Sequence, residues 1–124
     1  MSQTLPISVY FVSGAEAHRI GAALESVQGW AAEIVVILQQ DVSDGTEELA
    51  RAQGAIVVRE PWKGFVGQKA SGLEKTSSAW TLNLDADEVV TPELREEISR
   101  AIAEAGPEID AFNFPFRKPA RKAA

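Results

Sequence analysis

The strongest chemical signal in the sequence is a pair of aspartates at the end of a short apolar strand. Leu82–Leu84 leads directly into Asp85, Asp87 and Glu88. Residues two apart on an extended chain point to the same side, so Asp85 and Asp87 are expected to converge. Two carboxylates that close require a proton or cation between them. Mg²⁺ and Mn²⁺ prefer such oxygens and retain positions for phosphate, so the pattern predicts a metal site that holds a diphosphate.

The same acidic segment has other interpretations. It could be an acidic loop that caps the following helix. A calcium-binding helix-loop-helix is disfavoured, because Val90 stands where that loop requires glycine. Asp85–Val89 also resembles the nucleophile motif of haloacid dehalogenase-type phosphatases. That family places the motif on its first strand, with lysine and aspartate motifs well downstream, and few residues follow Asp87 here.

Apolar runs rich in β-branched residues alternate with segments of helical periodicity. The runs predict five strands, at Ile7–Val12, Glu33–Leu38, Ala55–Val58, Trp80–Leu84 and Asp110–Phe116. Alternation of this kind predicts an α/β fold with a mainly parallel sheet and helices on both faces. Ligands bind such sheets at the carboxyl ends of the strands, which is where the acidic pair lies.

The segments between these strands predict four helices. Ile20, Ala23, Leu24 and Val27 recur at helical spacing, and the Asp44–Thr46 turn precedes a short second helix. A third helix is predicted over Phe65–Lys75, with Val66, Ala70 and Leu73 on its apolar face. Thr91, Pro92 and Glu93 form a strong helix start, followed by an apolar stripe of Leu94, Ile98 and Ile102.

The other strand ends carry weaker signals. Glu16 follows the first strand, and Gln39 and Asp41 follow the second. Glu16 is also typical of a helix start, and Asp44–Thr46 of a turn with a cap.

Trp62–Phe65 follows the third strand and offers aromatic surface together with a cation. Lys63 or Lys69 could pair with a ligand phosphate, or each could be solvated surface.

Composition limits the classes of protein that fit. The chain has 124 residues, a net charge of −6, no cysteine and one histidine. Disulfides, thiolate metal sites and multi-histidine sites are therefore excluded, and the acidic balance argues against a nucleic-acid partner. We expect one domain over residues 1–116 and a basic tail over residues 117–124. No apolar run approaches a membrane span, so a cytoplasmic protein is expected, with membrane contact at most peripheral.

Taken together, these motifs resemble the nucleotide-sugar-binding half of a family-2 glycosyltransferase of the lipopolysaccharide-core type. The resemblance covers nearly all of residues 7–116. Its most specific part is Pro61–Phe65 followed by Gln68 and Lys69. The other segments that carry it are Leu24–Val27, Trp30, Glu33–Val36, Asp44–Thr46, Gly54–Ala55, Glu60 and Leu84–Glu88.

The resemblance implies a Rossmann-like GT-A sandwich, apparently truncated, with Mg²⁺ or Mn²⁺ bridging the donor diphosphate. Asp87 would be the main metal ligand, and Asp85 would help to hold the metal or the ribose. Glu16 would lie beside the nucleoside and Lys69 near the phosphates. The implied reaction moves a sugar, with inversion, from a nucleoside-diphosphate sugar to a saccharide or lipid-linked acceptor, in cell-envelope polysaccharide or lipopolysaccharide synthesis at the inner face of the membrane.

The sequence departs from the family pattern at several positions. Ala15 and Ala70 stand where the family usually has asparagine. The base-reading aspartate is missing at the end of the second strand, where Gln39 or Asp41 could substitute. No general base can be assigned. A catalytically silent nucleotide-binding or interaction module is therefore the alternative, and exposed apolar surface on the shortened sheet predicts self-association, for example as a homodimer.

Overall fold

The computed structural model describes residues 4–106, which form four parallel strands and four helices in strict alternation. The elements are β1 (Leu5–Ser13), α1 (Ile20–Glu25), β2 (Ala31–Gln39), α2 (Thr46–Ala52), β3 (Ile56–Glu60), α3 (Gly64–Glu74), β4 (Trp80–Leu84) and α4 (Pro92–Glu104). This confirms the predicted α/β class and the first four predicted strands. The predicted strand at Asp110–Phe116 and the basic tail lie outside the described residues.

The sheet has the strand order β3-β2-β1-β4, and each neighbouring pair is parallel. Tyr10 on β1 is aligned with Val35 on β2 and with Asn83 on β4. Because β1 and β2 are interior strands with helices on both faces, both of their faces must be apolar. This interior position explains why the sequences of β1 and β2 are long runs rich in apolar and β-branched residues.

One face of the sheet packs against α1, α2 and α4 and contains most of the core. Helix α1 contributes Ile20, Ala23 and Leu24, and α4 contributes Leu94 and Ile98. The start of α4 is as predicted: the Thr91 hydroxyl accepts a hydrogen bond from the Leu94 N–H at 3.1 Å, and Pro92 occupies the first turn. We call the side of the sheet that packs against α1, α2 and α4 the first face.

The opposite surface, the second face, packs against α3 and has a small core of Tyr10, Val35 and Ile37. The side of α3 that faces the sheet is polar or small: its buried residues are Gln68, Ser71 and Gly72.

The predicted apolar face of α3 is therefore wrong. Val66, Ala70 and Leu73 are all exposed, Val66 by 86% and Leu73 by 56%. The reason is a close approach between helix and sheet, because a Cβ atom on Gly72 would lie 2.3 Å from the Tyr10 ring. Only the glycine side of the helix can approach Tyr10 so closely, and the apolar stripe consequently points outward.

Candidate functional site

The carboxyl ends of the strands meet at one edge of the sheet, and β1 marks the point where the chain direction across the sheet reverses. From β1 the chain moves to β2 and then β3 on one side, whereas β4 pairs with the other side of β1. Open parallel sheets bind ligands in the crevice at such a switch point. The loops after β1 and β4 border it, and they carry Glu16 and the acidic segment that begins at Asp85.

Glu16 and Arg19 form the first charged group at this edge. The Arg19 Nε donates to the Glu16 carboxylate, and the Ile20 N–H donates to the Glu16 carbonyl at 2.9 Å. The hydrogen bond and charge of Glu16 raise the pKa of Arg19, and the charge of Asp87 contributes further. Arg19 is therefore a cation within electrostatic reach of Glu16 and Asp87, two of the predicted site carboxylates. Arg19 is not among the site residues predicted from the sequence, although its three-residue spacing from Glu16 is a signal that could have indicated it.

A hydrogen-bonded clamp fixes the backbone of the Glu16 loop. The Glu16 N–H donates to the Thr46 hydroxyl at 3.1 Å, and the Ala17 N–H donates to the Asp44 carboxylate at 3.2 Å. Thr46 is fully buried and also donates to Asp44. These donors lower the pKa of Asp44, the Thr46 hydroxyl most of all. Asp44–Thr46 is thus a turn and helix start, as one interpretation held, and in addition positions Glu16.

Glu16 and Gln39 line the same cavity, of about 290 Å³, at the ends of β1 and β2. Gln39 comes close to the first loop, because its Oε1 atom lies 3.5 Å from where a Cβ on Gly14 would stand. Two of the residues expected to contact the nucleoside are therefore brought together. The complete lining is Val12, Ser13, Gly14, Glu16, Gln39, Trp62 and Phe65.

Asp41 does not line this cavity and is exposed in the turn after β2. Arg59, on the neighbouring strand β3, holds that turn: its Nη1 atom donates to the carbonyls of Gln40 at 2.9 Å and Val42 at 2.8 Å. Of the two residues considered for base recognition, Gln39 lines the cavity and Asp41 does not.

The acidic segment forms a turn directly after β4. The Glu88 N–H donates to the Asp85 carbonyl at 3.0 Å, and the Glu88 carboxylate accepts from the Asp85 N–H at 2.7 Å. The chain between Asp85 and Asp87 is therefore not extended, so the two side chains are not placed on one side by strand geometry as predicted. Asp85 is exposed and Asp87 half-buried.

Ser26 connects this turn to the body of the first face. Its hydroxyl accepts a hydrogen bond from the Val90 N–H at 3.0 Å and donates to the Ala23 carbonyl at 2.7 Å. The segment that follows the acidic turn is thus attached to the end of α1.

The donor set at this turn suits a hard divalent cation, because Asp85 and Asp87 offer only carboxylate oxygens. Within residues 4–106 no three Asp, Glu, His or Cys side chains are grouped as a complete metal site. If such a cation bound here, Asp85 and Asp87 would hold it, and it would supply positive charge to an anionic ligand.

The two lysines considered as phosphate contacts differ in their surroundings. The Lys63 Nζ lies 3.1 Å from the Glu60 carboxylate, so Lys63 is engaged in an ion pair. Lys69 is exposed on α3, and within the described part of the chain it forms no ion pair. Lys69 is therefore the better placed of the two for an external anion.

Comparison with known proteins identifies the family. The model of "Glycosyl transferase family 2" matches residues 8–123. An uncharacterized glycosyltransferase of Rickettsia bellii is 39% identical over 100 residues, which are 81% of this chain and 34% of that protein. The lipopolysaccharide core biosynthesis glycosyltransferase LpsC of Rhizobium meliloti is 33% identical over 108 residues, 83% of this chain and 39% of that protein.

The fold is also shared with a solved structure. S. aureus TarS superimposes with a TM-score of 0.61 and 18% sequence identity, over 81% of this chain and 20% of TarS. The chain spans about a third of the length of the two sequence relatives named above. No helix among residues 4–106 is long and apolar enough to cross a bilayer. The match over residues 8–123 shows that this chain belongs to glycosyltransferase family 2.

Proposed function

We propose that this chain is the donor-binding part of a metal-dependent glycosyltransferase that acts in cell-envelope polysaccharide or lipopolysaccharide synthesis. The observation that carries the proposal is the cavity that joins Glu16 and Gln39 on the same sheet edge as the acidic turn after β4. The family membership and the name of LpsC support the reaction class and the envelope setting. The donor is a nucleoside-diphosphate sugar, and the acceptor is a saccharide or lipid-linked saccharide.

Different residues of the site are assigned to different parts of the donor. Asp87, assisted by Asp85, would hold Mg²⁺ or Mn²⁺, which would supply positive charge to the diphosphate, and Asp85 would also contact the ribose. Glu16 and Gln39 contact the nucleoside, with Asp41 as the other candidate for the base. Lys69 supplies positive charge to the phosphates.

The chemistry is displacement at the anomeric carbon of the donor by an acceptor hydroxyl, with inversion. A bound divalent cation stabilises the negative charge that develops on the departing diphosphate. Arg19 adds a second positive charge beside Asp87 and keeps the Glu16 carboxylate oriented. No residue of the chain is assigned as the base that takes the acceptor proton.

The proposal is tested by thermal unfolding with a panel of nucleoside diphosphates, with and without Mn²⁺. Ligand that binds only the folded state stabilises it by about 2.7 kcal/mol at a concentration 100 times Kd. We expect one nucleotide to raise the Tm of the parent in a Mn²⁺-dependent manner. Asp87→Asn should abolish that shift.

Glu97→Gln, which alters an exposed carboxylate on α4, is the matched control and should keep the shift. A nucleotide shift that survives in Asp87→Asn, or no shift with any nucleotide, would contradict the proposed donor site.

A catalytically silent nucleotide-binding module is the alternative to the proposed enzyme. Incubation of the chain with nucleoside-diphosphate sugars separates the two. Release of nucleoside diphosphate or transfer to a saccharide acceptor supports the enzyme, whereas binding without turnover supports the silent module.

The exposed apolar side chains on α3 favour self-association, and a homodimer is part of the proposal. The proposal also places the protein at the inner face of the membrane, with peripheral membrane contact at most. Sedimentation of the chain as a monomer at all concentrations would remove the homodimer.

A further inference from the structure

Trp62 and Phe65 form an aromatic pair that lines the same cavity as Glu16 and Gln39. Their ring centroids are 5.0 Å apart and the rings meet edge to face at 88°. Trp62 is 46% exposed and Phe65 is 69% exposed. Neither belongs to a buried core cluster of the described residues, so both rings keep exposed surface beside the cavity.

The two sides of the cavity differ in chemistry. The ends of β1 and β2 supply the Glu16 carboxylate and the Gln39 carboxamide, whereas the segment between β3 and α3 supplies the two aromatic rings. A flat ligand with an apolar face and a hydrogen-bonding edge matches this combination. A nucleobase is such a ligand, and aromatic side chains stack on nucleobases without regard to their identity.

The size of the cavity limits how much of a nucleotide it can hold. At about 290 Å³ it lies at the low end of the range for small-molecule pockets. This volume suits a base with its ribose, while the diphosphate and the sugar would remain outside it. The cavity therefore suits one end of a nucleoside-diphosphate sugar.

From this arrangement we infer that Trp62 and Phe65 are the base-stacking wall of the nucleotide site, beside the Gln39 carboxamide that the proposed function already places at the nucleoside. The inference rests on the proposed function and adds residues that the family resemblance did not assign to the nucleoside. A carboxamide both donates and accepts hydrogen bonds, so it complements a neighbouring donor and acceptor on a base edge. Stacking then supplies affinity, and Gln39 supplies the choice of base.

The test measures affinity of the full chain for the nucleoside diphosphate that gives the largest Mn²⁺-dependent thermal shift. Base stacking on one aromatic residue is worth about 1–3 kcal/mol, which corresponds to a loss of about fivefold to 150-fold in affinity. We expect Trp62→Leu and Phe65→Leu each to weaken binding within that range. Trp62→Phe should restore most of it, because it keeps an aromatic face.

Tryptophan fluorescence provides a second readout. Stacking of a base on Trp62 should quench emission of the parent on titration, and the quench should be lost in Trp62→Leu. Val66→Ala is the matched control, since Val66 is 86% exposed beside the pair and does not line the cavity. Thermal unfolding of each variant without ligand checks that the fold is kept.

The possible outcomes separate the two proposals. Affinity within twofold of the parent in both leucine variants, or a Trp62→Phe variant as weak as Trp62→Leu, overturns the stacking wall and leaves the donor site standing. A parent that binds no nucleoside diphosphate overturns both. Weaker binding in the leucine variants, rescue by phenylalanine and loss of the quench together support the inference.

Discussion

The two faces of the sheet are built in different ways. Among residues 4–106, the first face buries twenty residues in one cluster with α1, α2 and α4, whereas the cluster on the second face has three. Helix α3 on the second face is held instead by polar and close contacts: Ser71 donates to Glu60 at 2.7 Å, and Gly72 lies against Tyr10. The first face therefore supplies most of the hydrophobic stabilisation. The second face leaves the apolar side chains of α3 available for ligands or partners.

The largest expected effect on stability comes from replacing a leucine on the first face, and the same replacement on the second face should have little effect. Leu24 is fully buried on the first face and Leu73 is 56% exposed on α3. Leu24→Ala should lower the free energy of unfolding by about 2–5 kcal/mol, because a buried leucine leaves a cavity. Leu73→Ala should change it by at most about 0.5 kcal/mol. Urea denaturation of the two variants measures both values, and equal losses would show that α3 is packed by its apolar stripe after all.

A smaller effect is expected at the close contact between α3 and the sheet. Gly72→Ala should destabilise the protein by about 1–3 kcal/mol, as overpacking does, because the added methyl group would overlap the Tyr10 ring. Gly21→Ala on α1 is the control, since a Cβ there meets nothing within 4 Å. Alanine in a helix is favoured over glycine by about 0.5–1 kcal/mol, so this variant should be slightly more stable. A stabilised Gly72→Ala protein would mean that α3 stands farther from β1.

The smallest expected effect concerns the acid sensitivity of α3. Hydrogen bonding from Ser71, followed by the contacts with Lys63 and Lys75, lowers the pKa of Glu60 below its ordinary value of 4.5. A carboxylate whose pKa is lower in the folded state stabilises the fold above the unfolded pKa. That stabilisation is lost as the pH falls through the folded pKa. We therefore expect α3 to loosen below pH 4.5 before the rest of the chain, seen as faster amide hydrogen exchange.

Glu60→Gln should remove most of this acid dependence in α3. The pKa of Asp44, in the turn before α2, is also lowered from its ordinary value of 3.8. Asp44→Asn should therefore change amide hydrogen exchange in the Glu16 loop and leave exchange in α3 as in the parent. An unchanged pH profile of α3 in Glu60→Gln would show that Glu60 does not hold the helix.

Much of the fold could be predicted because local pattern and tertiary position agree. The run at Ile34–Leu38 is apolar at every position, which only an interior parallel strand explains well, and Thr91 with Pro92 marks a helix start by local chemistry alone. For α3 the periodicity indicated an apolar stripe but not the direction in which it faces. That direction depends on Gly72 and Tyr10, which are remote in sequence.

The sequence indicated which residues belong to the candidate site better than it indicated how they are arranged. Glu16 and Gln39 do share a cavity, because β1 and β2 are adjacent parallel strands and their carboxyl ends lie side by side at one edge of the sheet. The turn at Asp85 depends on a hydrogen bond from Glu88, which the rule for extended chains ignored. The link from Thr46 to Glu16 spans thirty residues, so no local pattern could reveal it.

The pairing of β1 with β4 also determines when the site can form during synthesis. Asn83 donates to the carbonyl of Tyr10 from 73 residues farther along the chain. Until β4 has left the ribosome, one edge of β1 has no partner among the described strands, and unpaired edges promote aggregation. We expect a nascent chain that stops after β3 to be prone to aggregation and to bind no metal. The acidic turn at the end of β4 is therefore assembled only when the last strand of the described sheet is in place.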